Sequence, residues 1–196
     1  QLELTAHGLR ASAIRAALRR TTEKSARRKY IDGLLSSQLR GATMTSYEIL
    51  EETDPDVPLV IDVEFEVDSF GRKTGAGTMK IQTRLFREPV ASIYAELSKR
   101  ESPLLVRYPR EHTYHFEVSL PDGWTPVGGG EKPVQIERDT RYGDYKRTMR
   151  LDADKLTVDS SLEMPIQRIR TGEYAAFRTW ARVVEGSALL RIVLEQ

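Results

Sequence analysis

The chain contains no cysteine. That excludes disulfides, thiolate metal ligation and a cysteine nucleophile within these residues, and it assigns no compartment. Histidine is scarce, at three residues: His7, His112 and His115. His112 and His115 are three apart in a stretch of strand periodicity, so they point to opposite faces and are poor partners for one metal. No apolar run approaches the ~18–20 residues of a membrane span. There is no Gly-x-Ser-x-Gly elbow, and Gly128–Gly130 lacks the strand–glycine–helix context of a phosphate loop. Asp152-x-Asp154 resembles the opening of a calcium loop, but the third acidic ligand, the sharp glycine and the terminal glutamate are absent, so a β-turn is expected. These absences predict a chain with no catalytic, cofactor-binding or metal-ligating residues, and so not an enzyme.

What is present is an ordinary core-forming composition, 39% hydrophobic and 30% charged. The net charge of +1 hides an asymmetry: Arg10–Arg40 holds nine basic and two acidic residues, and Gly41–Phe70 holds nine acidic residues and no Lys or Arg. Such segments could serve two partners, or neutralise each other as parts of one domain; the second is the plainer reading. Basic helices also suit a nucleic acid, but no base-reading pattern follows and the acidic neighbour would repel phosphate, so no nucleic-acid partner is expected. The chain opens on QLELTA, neither a basic n-region nor an apolar h-region, and reads as a strand cut from the C-terminal part of something longer.

Helical spacing predicts a helix over Gly8–Arg20, with Leu9, Ala13, Ile14, Ala17 and Leu18 on one stripe, and a second helix ending near Gly41 with Ala26, Tyr30, Ile31, Leu34 and Leu35 buried. Arg15, Arg19, Arg27 and Arg28 are expected to face water. The strongest strand signal is Leu59–Asp68, apolar on one face and acidic on the other. A second alternating strand follows the turn-rich 71–77 stretch. Pairing the two as a hairpin, with Glu66 opposite Lys80 and Asp62 opposite Arg84, would neutralise the acidic face. Further strands are expected at Pro103–Arg107, Tyr114–Leu120, Val134–Arg138, Tyr142–Leu151 and Leu156–Met164. The strand at Tyr114 runs into a Pro121-Asp122-Gly123 turn. A last helix buries Tyr174, Phe177, Ala181 and Val184, and Leu189–Leu194 returns as a strand. The expected class is α+β, mainly antiparallel β: an N-terminal helix pair with a hairpin, then a β-sandwich-like unit with a C-terminal helix. A soft boundary divides 1–98 from 99–196. Trp124, Tyr142 and Tyr145 are the candidates for a surface aromatic patch that would bind peptide or glycan.

Arg100–Trp124 (RESPLLVRYPREHTYHFEVSLPDGW), Tyr142-Gly143-Asp144-Tyr145, Ile169, Glu173-Tyr174 and Phe177-Arg178 together resemble the C-terminal region of bacterial transglutaminase-like proteins. Gly8, Ala11 and Arg15 on a helix, and Pro58-Leu59 before an alternating strand, resemble the segment just downstream of that family's papain-like core. The order and spacing of these weak motifs carry the resemblance. It implies an extracytoplasmic protein whose Cys-His-Asp site lies upstream, and it makes this chain the non-catalytic, β-rich tail with that core as its partner.

Overall fold

The computed structural model describes residues 1–196 apart from 40, 69, 76, 85–86, 121, 128–133 and 153. The expectations for Leu85, Phe86, Pro121, Gly128–Gly130 and Ala153 therefore lie outside the described residues. The chain begins with β1 (Leu2–Ala6), α1 (Gly8–Arg20), α2 (Lys24–Gln38), β2 (Ala42–Leu50), β3 (Leu59–Val67), β4 (Arg72–Gly75), β5 (Thr78–Arg84) and α3 (Val90–Tyr94). It continues with β6 (Leu104–Val106), β7 (Arg110–Ser119), β8 (Thr125–Pro126), β9 (Val134–Thr140), β10 (Gly143–Leu151), β11 (Lys155–Met164) and β12 (Gln167–Ile169). A 3-10 turn at Thr171–Glu173 then leads into α4 (Tyr174–Gly186) and β13 (Leu189–Glu195). The class is α+β, mainly antiparallel.

A seven-stranded sheet runs β2-β3-β1-β7-β11-β10-β9, with every junction antiparallel. A four-stranded sheet runs β4-β5-β13-β8, and β6 pairs with β12. Both larger sheets draw strands from either side of residue 98: β1 lies between β3 and β7, and β5 pairs with β13. Sheet-on-sheet packing exists, but the two halves of the sequence build it together.

The expected hairpin of β3 with β5 is not formed. β3 takes β1 and β2 as neighbours, and β5 takes β4 and β13. Arg72–Gly75, inside the turn-rich stretch, forms β4 and pairs with β5 instead. Asp62 consequently faces Glu3 and Glu48, and Glu66 faces Thr43.

One face of the large sheet carries the core, in two clusters. In the first, Leu2, Leu4, Ile61, Val63, Tyr114, Phe116 and Val158 pack against Ile14 and Leu18 of α1, Ile31 and Leu35 of α2, and Met79, Ile81, Ile192 and Leu194 of the smaller sheet. In the second, Tyr145, Leu162 and Met164 pack against Tyr174, Phe177, Trp180 and Val184 of α4 and Val106. Each such side chain contributes roughly 1.5–3 kcal/mol on burial. The α4 stripe is as predicted, with Trp180 added. The α1 stripe is rotated: Leu9 and Ala13 are exposed, whereas Ala11 and Arg15 are buried. Arg15, expected in water, is 1% exposed, because its guanidinium caps the carbonyls of the β2–β3 loop. β13 is internal in its sheet with Ile192 and Leu194 buried, but Val193 is 37% exposed, so the strand is not buried on both faces. Among the described residues no helix is long and apolar enough to cross a membrane.

Candidate functional site

The aromatic patch expected at Trp124, Tyr142 and Tyr145 does not exist as a surface. The three are 6%, 7% and 0% exposed, and they fall in different clusters. Trp124 packs in the first cluster, with Lys73 Nζ 5.7 Å from its ring centroid. Tyr142 packs in the second, edge-on to Phe177 with centroids 5.6 Å apart, and Tyr145 shares a 2.5 Å hydrogen bond with Ser187. Alternation along β10 sends Tyr145 to the core face, which a surface reading of its aromaticity did not take into account.

His112 and His115 do point to opposite faces. His112 is 3% exposed and hydrogen-bonded through Nε2 to the equally buried Glu88. Its ring meets Tyr114 edge-on at 5.3 Å, and Arg10 donates to the Tyr114 hydroxyl at 2.5 Å. Burial pushes the Tyr114 phenol up to about 12, with Arg10 opposing and Glu88 adding to the rise. This chain of polar groups is enclosed, and so ties α1 and the segment before α3 to β7. Asp152 and Asp154 flank the β10–β11 turn, closed by Asp152 N–H to the Lys155 carbonyl at 2.9 Å. Among the described residues no group of three His, Asp or Glu is arranged to hold a metal.

The candidate surface is the other face of the large sheet. Helices and the smaller sheet cover the core face, so the outward residues of β2, β3, β1, β7, β11 and β10 stand at least partly in solvent. Strand register sets Glu48, Asp62, Glu3, His115 and Asp159 in one row across five strands. On the β7–β10 side, charges are matched. His115 Nδ1 lies 2.7 Å from Asp159, Lys155 lies 3.2 Å from Glu117, and Lys146 lies 3.5 Å from Asp144.

On the β2–β3–β1 side the charges are unmatched. Among the described residues Glu3, Glu48, Asp62, Glu64 and Glu66 enter no ion pair, although Ser46 donates to Glu64 at 2.7 Å. Asp62 is flanked directly across both junctions by carboxylates, and its Oδ1 is buried without a hydrogen-bond partner. Like charges directly opposite destabilise a sheet. The basic helices do not neutralise this face, because the sheet separates them from it. Arg27 pairs with Glu52 at the loop, and Arg28 donates to the carbonyls of Met44 and Thr45. The charge asymmetry of the sequence becomes an opposition of two sides: Arg19, Arg20, Lys24, Arg28 and Lys29 exposed on the helices, carboxylates on the sheet. Sequence reasoning found the acidic stripe of β3 but not its neighbours, because the β1–β3 pairing joins residues almost sixty positions apart.

At the start of β1 an open cleft of about 590 Å³ lies between β3 and β7. Phe65, Phe70, Met79 and Leu120 line its apolar side, and Glu66, Glu117 and Lys155 its polar side.

The architecture is thus an antiparallel α+β domain with one covered and one free sheet face. The chain belongs to DUF3858, a family described as a domain of unknown function with a solved structure, whose model matches residues 78–194. A search of curated proteins finds no match. Among solved structures the chain is similar to a Parabacteroides distasonis protein described as a "putative protease", at 14% identity and a TM-score of 0.41. That match covers 60% of this chain and 23% of the other, so the chain spans about a quarter of that protein's length.

Proposed function

We propose that the chain is a non-catalytic accessory domain of an extracytoplasmic transglutaminase-like protein, and that it positions the catalytic core or its substrate through the acidic half of the free sheet face. One observation carries the contact surface. Glu48, Asp62 and Glu3 stand side by side on three neighbouring strands with no cation among them. Such a row costs stability in isolation, and a cationic surface docked on it would relieve that cost and steer the encounter. The transglutaminase-like assignment rests on the resemblance of Arg100–Trp124, Tyr142–Tyr145 and Glu173–Arg178 to that family's tail. The test is the gene sequence upstream of the Gln1 codon. A cysteine followed at a distance by histidine and aspartate supports the reading; an upstream region without that order overturns it.

A further inference from the structure

The two-stranded ribbon of β6 and β12 has one face in the core and one face free. Leu104, Val106 and Ile169 point inward and belong to the second cluster. Alternation sends their neighbours outward, and the register sets Arg168 directly opposite Leu105. Both are exposed, Leu105 at 51%. Ile166, just before β12, and Tyr108, just after β6, are exposed as well. Tyrosine and arginine are the residues enriched at contact surfaces.

Arg168 also lines an open cleft of about 690 Å³, together with Glu101, Pro103, Arg141, Arg170 and Glu173. That volume suits a small ligand or a few residues of peptide. Arg141, in the turn between β9 and β10, already has its charge matched. Its Nη1 donates to Glu173 at 2.7 Å, and its guanidinium lies 5.6 Å from the Tyr142 ring centroid. Glu173 also accepts the Arg170 backbone N–H at 3.0 Å, so this carboxylate is occupied. Among the described residues the side chains of Arg168 and Arg170 enter no ion pair. They stand two apart in extended backbone, with Cα atoms about 6.6 Å apart. Against these two cations the cleft sets Glu101, which is likewise in no ion pair.

We propose that this face and its cleft bind an extended acidic segment of polypeptide, with carboxylates two residues apart and an apolar side chain at the same spacing beside them. Arg168 and Arg170 offer planar forks that match two such carboxylates, because residues i and i+2 of an extended chain share one side. The apolar side chain then falls against Leu105 and Ile166. Glu101 accepts a hydrogen bond from the segment's backbone N–H or a hydroxyl. A dense polyanion fits this surface less well, since Glu101 repels it and the exposed leucine and isoleucine give it nothing to bury. The acidic half of the large sheet also repels such a segment, and the occupancy of the cleft does not depend on what that half contacts.

The test is fluorescence anisotropy of the labelled peptide Leu-Ser-Glu-Ser-Glu-Ser-Leu at low salt, which presents the same pattern in either chain direction. The protein is expected to bind it, and to bind the version with glutamine in place of glutamate at least about tenfold more weakly. Arg168→Glu together with Arg170→Glu should weaken binding at least about tenfold, and Leu105→Ser should weaken it several-fold, with urea midpoints showing that each variant folds. Arg19→Glu together with Arg20→Glu, exposed on α1, should leave binding unchanged. Absence of binding, or equal binding of the two peptides, overturns the proposal. So does a loss that follows Arg19 and Arg20 rather than Arg168 and Arg170, which assigns the peptide to the basic helices. Binding of heparin but not of the peptide makes the cleft a polyanion site and overturns it too.

Discussion

Gln1 and Glu117 exchange two backbone hydrogen bonds, of 2.9 and 2.8 Å, as the last rung joining β1 to β7. Because β1 lies between β3 and β7, the central strand of seven, that rung sets the register of β3 and β1 against β7. It puts every second residue of β3, β1 and β7 on the free face and gathers there the carboxylates that the linear sequence scatters.

Asp62 is the centre of that gathering. Asp62→Asn is expected to raise stability by a few tenths to about 1 kcal/mol, because it removes the charge facing Glu3 and Glu48 while keeping the side chain's size. Urea unfolding checks it. A loss of stability would show that the carboxylate is satisfied in some other way.

The Tyr114 phenol ionises at about 12 in the folded chain, against an ordinary value of 10.0. The unfolded chain therefore releases this proton first, and stability falls as pH rises from about 10 toward 12. Phenolate absorbance should show one tyrosine titrating late, and Tyr114→Phe should remove it and flatten the alkaline loss. An unchanged late tyrosine in that variant would contradict the assignment.

Glu173 is held below its ordinary 4.5, first by the backbone N–H of Arg170 at 3.0 Å and then by Arg141 at 2.7 Å. A depressed carboxylate contributes stability that is present above the unfolded pKa and is lost as pH falls through the folded one. Glu173→Gln should therefore lower the melting temperature at neutral pH and weaken its dependence on pH below about 4.5. Parallel acid profiles for the two proteins would contradict this.

The local pattern was legible in the sequence; the long-range pairing was not. Period-two alternation located β3, β7, β10 and β11, and helical spacing located α1, α2 and α4, because each buries one face and the burial is written at that element's own period. Alternation says nothing about which strand lies alongside. The acidic stripe at Asp62, Glu64 and Glu66 invited the cations of the next alternating strand, Lys80 and Arg84, whereas β3 pairs with β1 across an intervening helix pair. The candidate aromatics failed for a related reason. A tyrosine in a strand faces core or solvent according to register, and Tyr145 lies on the same face as the buried Leu162 across β11. Arg15 was misread because helix periodicity cannot foresee the loop carbonyls that bury a guanidinium.

That loop gives another prediction. Arg15 donates to the carbonyls of Glu51 and Val57 at 2.8 Å and of Glu52 at 3.2 Å. Lysine offers a point charge in place of this fork, so Arg15→Lys should cost about 1.5–3 kcal/mol. Proteolytic cutting should increase within residues 51–57. Unchanged stability and cleavage would show that the loop holds itself.

The free acidic face is proposed as a contact surface for a transglutaminase-like core. The most direct measurement is calorimetric titration of the domain against that core, expressed separately, at low and high salt. Binding is expected to weaken as salt screens the face and to be lost when Asp62, Glu64 and Glu66 are each changed to lysine. No binding at low salt, or binding indifferent to salt and to the three substitutions, would contradict it.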